Sequence, residues 1–389
     1  MSSRTRLIVM TISAPVIAFA IVGGFLGKVM AGQSTPYQHL KIFDDVVGLI
    51  TSAYVEDANV DKVMTGAMHG LVDSLDPDSA YLTPDEARQV ESGAALPAGG
   101  IGLEITRQYY LRVIAARDSS PAAKAGLRTG DYIRAINGTP TREMSVWEGS
   151  RALRGAPGTK VSVTIIRGNA ADPHVVEMTR EPEPASMISG KMAGAGVGYV
   201  RVAAIGATSA AQLKSQVADL AKGGATKLVV DVRRAVGGSL DDGLALARLF
   251  VGKGTLAMRE TKSGPRETIT AGAGDGAIAL PMVVLIDTGT SGASELFASA
   301  LAGNQRADLV GERTIGRAAL QKLVKLPDGA ALWLSTTRYL TPAGTPLHEK
   351  GLEPTVAVDE PDVEFGQPAP AADPVLDKAL AHLSAKKAA

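Results

Sequence analysis

The sequence predicts a multidomain α/β protein made of a helical N-terminal region, an inserted β-sandwich-like domain and an α/β core. Three observations predict it. From Tyr37 to Gly93, apolar residues recur at spacings of three and four, the period of a one-faced helix. From Gly99 to about Arg180, the pattern is that of strands, interrupted by one helix over Val146–Leu153. From Gly196 to Val358, short apolar runs alternate with amphipathic helical stretches, the signature of strands joined through helices.

The length of 389 residues fits two or three such domains. Hydrophobic residues make up 45% of the chain and aromatics only 4%, so Val, Leu, Ile and Ala must build the cores. Formal net charge is zero and no long basic run occurs, which argues against nucleic acid as a partner. The absence of cysteine excludes disulfides and thiol catalysis. His39, His69, His174, His348 and His382 are scattered without metal-ligand spacing. Neither a metal nor a cofactor is expected.

At the N-terminus, Arg4 and Arg6 precede an uncharged apolar run from Leu7 to Gly27, followed by Lys28. About 20 apolar residues span a bilayer, and positive charge ahead of them places the body of the protein outside the cytoplasm. Val29-Met30-Ala31 offers small residues for cleavage, so residues 1–31 read as a signal peptide or a membrane anchor. The expected location is the periplasm or cell envelope, with attachment to the inner membrane if the segment stays uncut. In the helical region 37–96, Leu40, Phe43, Val46, Val47 and Ile50 form one apolar face, and Val63, Met64, Ala67, Leu71 and Val72 a second. Asp76-Pro77 signals a turn, and Thr83-Pro84 a helix start with Thr83 as N-cap.

The β-rich domain spans 97–181. Within it Asn137-Gly138 is a tight-turn pair. Glu181-Pro182-Glu183-Pro184 reads as a short stiff linker to a core over 185–360. In that core the strand Leu228–Arg233 leads to Gly237-Gly238. The strand Met282–Asp287 breaks at Thr288–Ala293 and restarts as the helix Ser294–Leu301. A strand that turns sharply into a helix exposes unpaired backbone N–H groups, and hydrolases use such corners for a nucleophile and an oxyanion hole. Residues 361–389 are a Pro/Ala-rich linker and a short helix, Val375–Leu383.

Several runs carry a resemblance: Ala293-Ser294-Glu295, Gly311-Glu312, Thr314-Ile315-Gly316 with Gln321, Asp231-x-Arg233 with Gly237-Gly238, Leu75-Asp76-Pro77, and Gly351-Leu352-Glu353-Pro354. Over about residues 37–360 the chain resembles the carboxyl-terminal processing peptidases, tail-specific serine peptidases that carry a PDZ domain. Gly100-Ile101-Gly102-Leu103, with Gly126-Leu127 and Gly130-Asp131 behind it, resembles the PDZ part. The resemblance implies a Ser–Lys dyad in the core and an oxyanion-hole region at Gly237, Gly238 and Ala293. It also implies a loop, Gly100 to Leu103, whose N–H groups hold a peptide's terminal carboxylate while the peptide adds to a sheet edge. The departures fall on the chemistry. The family's nucleophilic serine aligns with Gly292 and its lysine base with Arg317; Ala235 stands for an Asn and Asp78 for a His. Asp78 reads as part of a structural turn. Asp231 and Arg233 fit either an ion pair or a site role.

Glycine has no nucleophile, and a guanidinium stays protonated at any working pH and cannot serve as base. The expectation is an exported, catalytically degenerate homologue, a pseudoenzyme that binds protein C-termini through its PDZ domain. Arg317 is also suited to gripping a carboxylate, which would turn a cutting site into a holding site. The alternative is an active serine endopeptidase that uses Ser291 or Ser294 with a rearranged base; Lys322 and Lys325 lie downstream but share no geometry with the lost lysine. A structural envelope protein with a vestigial PDZ is the third reading. Expected partners are peptide C-termini, an active paralogue or adaptor, and further copies of this chain, joined through Tyr37–Ile50 and Val375–Leu383.

Overall fold

A computed structural model describes residues 36–385, apart from residues 94, 169–171, 185, 195, 362, 368, 369 and 371. The expected export segment, Leu7–Gly27, and the cleavage site at Val29–Ala31 lie outside the described residues. Among the described residues, no helix is long and apolar enough to cross a membrane.

The chain divides into two units after Met68. The first contains helix α1 (Pro36–Ala53) and the start of α2 (Val60–Asp73). On α1, Phe43, Val47 and Ile50 are half-buried, whereas Leu40 and Val46 of the expected apolar face are exposed.

The second unit opens with β1 (Ala80–Leu82) and α3 (Pro84–Glu91). Helix α3 starts where the Thr-Pro signal places it: Pro84 is the first helical residue, and Glu86 Oε2 accepts from the Thr83 N–H (2.8 Å) and hydroxyl (2.7 Å). The next segment comprises β2 (Gly99–Gly100), β3 (Leu103–Gln108), β4 (Tyr110–Ala116), α4 (Pro121–Lys124), β5 (Tyr132–Ile136), β6 (Thr139–Pro140), α5 (Val146–Leu153), β7 (Lys160–Ile166), β8 (His174–Thr179) and β9 (Glu181–Pro182). Its antiparallel sheet runs β3-β4-β5-β7-β8, with β6 beside β5 across the Asn137-Gly138 turn, where both residues have positive φ. Ile105, Leu111, Val113, Ile133, Val146, Val161 and Val163 fill the core between this sheet and α5. Glu181-Pro182 departs from a free linker: β9 pairs with β2, Gly99 opposite Pro182 and Gly100 opposite Glu181.

The remaining elements are β10 (Met187–Met192), β11 (Val197–Ala204), α6 (Ser209–Lys222), β12 (Lys227–Asp231), α7 (Leu240–Arg248), β13 (Thr255–Thr261), β14 (Glu267–Thr270), β15 (Met282–Ile286), α8 (Ala293–Gly303), β16 (Asp308–Gly311), β17 (Ala319–Lys325), β18 (Ala331–Leu340), β19 (Val356–Ala357) and α9 (Pro374–Ala385). They build a sheet in the order β10-β11-β12-β15-β16-β19, parallel from β11 onward, and a second, antiparallel sheet in which β18 pairs with β1, β13 and β17. Strand β15 is apolar throughout, and β12 over Leu228–Val230, because both faces are covered. One face meets α7 and α8 through Leu244, Leu246, Leu296, Phe297 and Leu301. The other is covered by Val375, Ala379 and Leu383 of α9. The apolar face of the terminal helix, read from sequence as a surface for self-association, is thus buried against the chain's own sheet. The structure is mixed α/β, as expected.

Candidate functional site

Strand β15 ends at Ile286 and the chain reverses over the six residues 287–292 before α8 begins at Ala293. Buried Asp287 builds that turn: its Oδ1 accepts from the N–H of Gly289 (3.1 Å), the hydroxyl of Thr290 (3.0 Å) and the N–H of Arg234 (3.1 Å). Burial raises its carboxyl above the usual range, while Arg234 acts in the opposite direction. Gly292 is the last residue before α8, with φ 55° and ψ −115°. A side chain is strained in that conformation, although a Cβ added there would meet only the Arg317 carbonyl oxygen, at 3.7 Å. Space for a side chain exists; backbone comfort does not.

Glu295, in the first turn of α8, pins the opposite wall. Its Oε2 accepts from the N–H groups of Gly292 (3.0 Å) and Arg317 (2.7 Å), and its Oε1 from the Gly316 N–H (2.6 Å) and the Thr314 hydroxyl. The Gly311–Arg317 segment is therefore held against the corner, which brings the two departures, Gly292 and Arg317, side by side. Complete burial pushes the Glu295 carboxyl up to about 7, against the pull of those four donors.

The Arg317 guanidinium is clamped between two carboxylates. Its Nε donates to Asp78 Oδ1 (2.8 Å) and its Nη1 to Glu104 Oε1 (3.1 Å). Burial works against its charge, but Asp78 and Glu104 outweigh that and hold it above its ordinary value. Glu104 reaches in from β3, where the register with β4 shifts between Glu104 and Ile105. Its Oε1 also accepts from the Ser291 hydroxyl (2.9 Å) and its Oε2 from the Gly237 N–H (3.1 Å). One carboxylate thus joins the β-rich domain to three residues of the corner.

Of the residues singled out from sequence, Ser291, Gly292, Arg317 and Gly237 converge here. Gly238 and Ala293 adjoin them: a Cβ on Gly238 would lie 3.3 Å from that of Ala293. Ser294 points elsewhere; its hydroxyl is buried without a partner. Gln321 makes no hydrogen bond to Gly292 or Arg317 and donates instead to Ser335 Oγ (3.1 Å), although it lines the same cleft as Asp78, Arg317, Trp147 and Trp333. Asp231 and Arg233 form an ion pair. Asp231 accepts from Arg233 Nη2 (2.7 Å) and the Tyr199 hydroxyl (2.7 Å), and burial, which raises its carboxyl, is overcome by Arg201 and Arg233. Asp78 is more than a turn residue; Glu295 belongs to the Ala293-Ser294-Glu295 run that carried the resemblance, whereas Glu104 carried no signal of its own in the sequence.

Comparisons with known proteins fit this geometry. Residues 196–358 match the model of peptidase family S41, and residues 112–167 match a PDZ domain. A carboxyl-terminal-processing protease of Synechocystis sp. is 32% identical over 322 residues, covering 81% of this chain and 75% of that protein. The chain belongs to the carboxyl-terminal processing protease family. Another family member, from Bartonella bacilliformis, is 29% identical over 360 residues, covering 89% of this chain and 83% of its own. Among solved structures, the photosystem II D1 C-terminal processing protease superposes with a TM-score of 0.67 at 28% identity, covering 82% of this chain and 92% of that one.

The stretch Gly100–Leu103, expected from sequence to hold a peptide carboxylate, meets a carboxylate of its own chain. The Gly102 N–H donates to Glu183 Oε1 (2.9 Å), just beyond β9, and the buried Arg117 guanidinium lies 3.7 Å from the same carboxylate. The PDZ domain rests on the peptidase core through Ile114 and Ala115, which pack with Ala204 and Val236, and through an ion pair from Arg201 to Asp118 (2.7 and 2.9 Å).

Proposed function

We propose that this member of the carboxyl-terminal processing protease family is a silent peptidase that binds protein C-termini through its PDZ domain. The observation that carries the reading is the corner itself. Position 292 has no side chain, and the group beside it is a guanidinium fixed between Asp78 and Glu104. A Ser–Lys mechanism needs an oxygen nucleophile and a neutral amine, and an arginine in that setting supplies neither. The oxyanion-hole side of the corner is better preserved, since the Gly237 N–H points to an acceptor.

Cleavage of an unfolded protein substrate by the purified soluble part tests the reading. Wild type is expected to be silent, and Gly292→Ser combined with Arg317→Lys to recover cleavage. Wild-type cleavage that disappears in Ser291→Ala would overturn the reading and favour the second one. That second reading, an active endopeptidase using Ser291, has one supporting contact, the hydrogen bond from Ser291 to Glu104. Export belongs to the same proposal and rests on Arg4, Arg6 and the apolar run Leu7–Gly27; cell fractionation of the full chain checks it.

A further inference from the structure

Glu104 is held in a way that an ordinary ion pair does not require. Its two oxygens meet three donors from three separated stretches: the Arg317 guanidinium, the Ser291 hydroxyl and the Gly237 N–H. Arg317 is fixed from its far side by Asp78, so its Nη1 edge stays aimed at the same point whether or not Glu104 is present. Without Glu104, Arg317 and Asp78 form a neutral pair, the Ser291 hydroxyl and the Gly237 N–H lose their acceptor, and Arg317 Nη1 keeps only the Ile105 carbonyl oxygen (3.4 Å). Another carboxylate would restore both charge and hydrogen bonds; an amide would restore neither fully. An open cleft of about 170 Å³, lined by Val146, Trp147, Ser150, Arg151, Gln321 and Trp333, reaches the Asp78–Arg317 pair next to this point. It provides apolar walls for the residues that precede a terminal carboxylate.

We infer that the former catalytic corner is a binding site for the free carboxyl terminus of a peptide, filled at rest by Glu104 of the same chain. The inference rests on the reading that the corner does not cut. Binding is an exchange: the peptide carboxylate takes the place of Glu104 on Arg317, Ser291 and Gly237, and β3 is released from the core. Because Glu104 lies on β3, the exchange frees the strand that borders the PDZ peptide groove.

The test uses a short peptide ending in Leu-Ala-Ala as the free acid, its C-terminal amide, and an amidated version with an internal Glu. Each is titrated into the full chain while the fluorescence of Trp147 and Trp333, its two tryptophans, is followed. Glu104→Gln is expected to bind the free acid about tenfold more tightly than wild type does. Binding of the amide should remain weak, and adding Arg317→Met should remove the gain. Equal binding of acid and amide, or a gain that survives Arg317→Met, overturns the inference. Tight binding of the internal-Glu amide overturns the assignment to a terminus. Acid-dependent binding that ignores both substitutions would belong to the PDZ loop, sinking this inference while leaving C-terminal capture intact. Conversely, a wild type that fails to bind longer C-terminal peptides, beside a Glu104→Gln variant that binds the tripeptide acid, would remove capture by the PDZ and keep the corner. If Glu104→Gln does not fold, hydrogen exchange of wild type over residues 103–108 decides. Faster exchange with the acid than with the amide supports the site, and equal exchange overturns it.

Discussion

Glu295 has both carboxylate oxygens buried and four donors converging on them, and its pKa is raised to about 7 from an ordinary value near 4.5. The sign of the linkage follows. Because the folded form holds its proton more tightly than the unfolded form, this group's contribution to stability is complete below about pH 4.5. It is lost as pH rises through 7. Denaturation midpoints between pH 4.5 and 8 should show that decline in wild type and a flatter profile in Glu295→Gln. Above pH 7 the variant should also be less stable, by roughly 3 kcal/mol, since an amide offers one acceptor where the ionised carboxylate offers two. At Gly292 the expected effect is different: Gly292→Ala should lower stability by about 1–3 kcal/mol through backbone strain alone, because the space is there and the conformation is not. Denaturant titration measures it. Gly292 and Arg317, the proposed replacements of a dyad, stood out in the sequence because a motif frames both positions. The partners of Arg317 were not. Asp78 lies 239 residues away and Glu104 lies 213 away, and no local pattern tells a carboxylate on a turn or a strand that a guanidinium will reach it.

Strands and helices of the core follow their periodicity closely, since β12, β15 and α8 are buried on every side and leave the pattern little to compete with. The expected strand over Met282–Asp287 forms as Met282–Ile286, and the helix expected over Ser294–Leu301 extends to Ala293–Gly303. The segment after β8 was less legible. Its two prolines read as a stiff spacer, yet a pairing with Gly99–Gly100 some 80 residues earlier decides its shape. The contact between α7 and α8 carries a prediction at this scale. A Cβ on Gly243 would sit 2.1 Å from the Ala293 carbonyl oxygen, so at this point the two helices approach backbone to backbone. Gly243→Ala should push α8 away and destabilise the protein by about 1–3 kcal/mol, as overpacking does. Because Ala293 follows Gly292 directly, the same variant should weaken any activity regained by Gly292→Ser with Arg317→Lys. A parallel assay of cleavage and thermal unfolding separates the two effects.

Over the whole molecule, the PDZ domain is fastened to the core at several separate points: the Glu104 carboxylate, the Asp118–Arg201 pair, and the apolar cluster of Ile114, Ala115, Ala204 and Val236. Asp118→Ala removes the pair and leaves Arg201 with Asp231; limited proteolysis should then cut more readily in the stretches around 96–98 and 183–186 while the core stays intact. The C-terminal stretch adds another attachment. Glu360 and Asp373 both bind Arg233 of the core (2.9 and 2.7 Å). Between them, Val363 and Gln367 offer carbonyls to Arg167 and Arg128, and Phe365 stacks on His174, with ring centres 4.4 Å apart. The domain's own two chain connections leave it side by side, at β2 and β9, and a body suspended from neighbouring points can swing like a door. A third support placed away from that line removes the swing. Severing the backbone on both sides of residues 363–367 would leave the two chain connections at β2 and β9 covalently whole, yet turn a rigid mount back into a hinge.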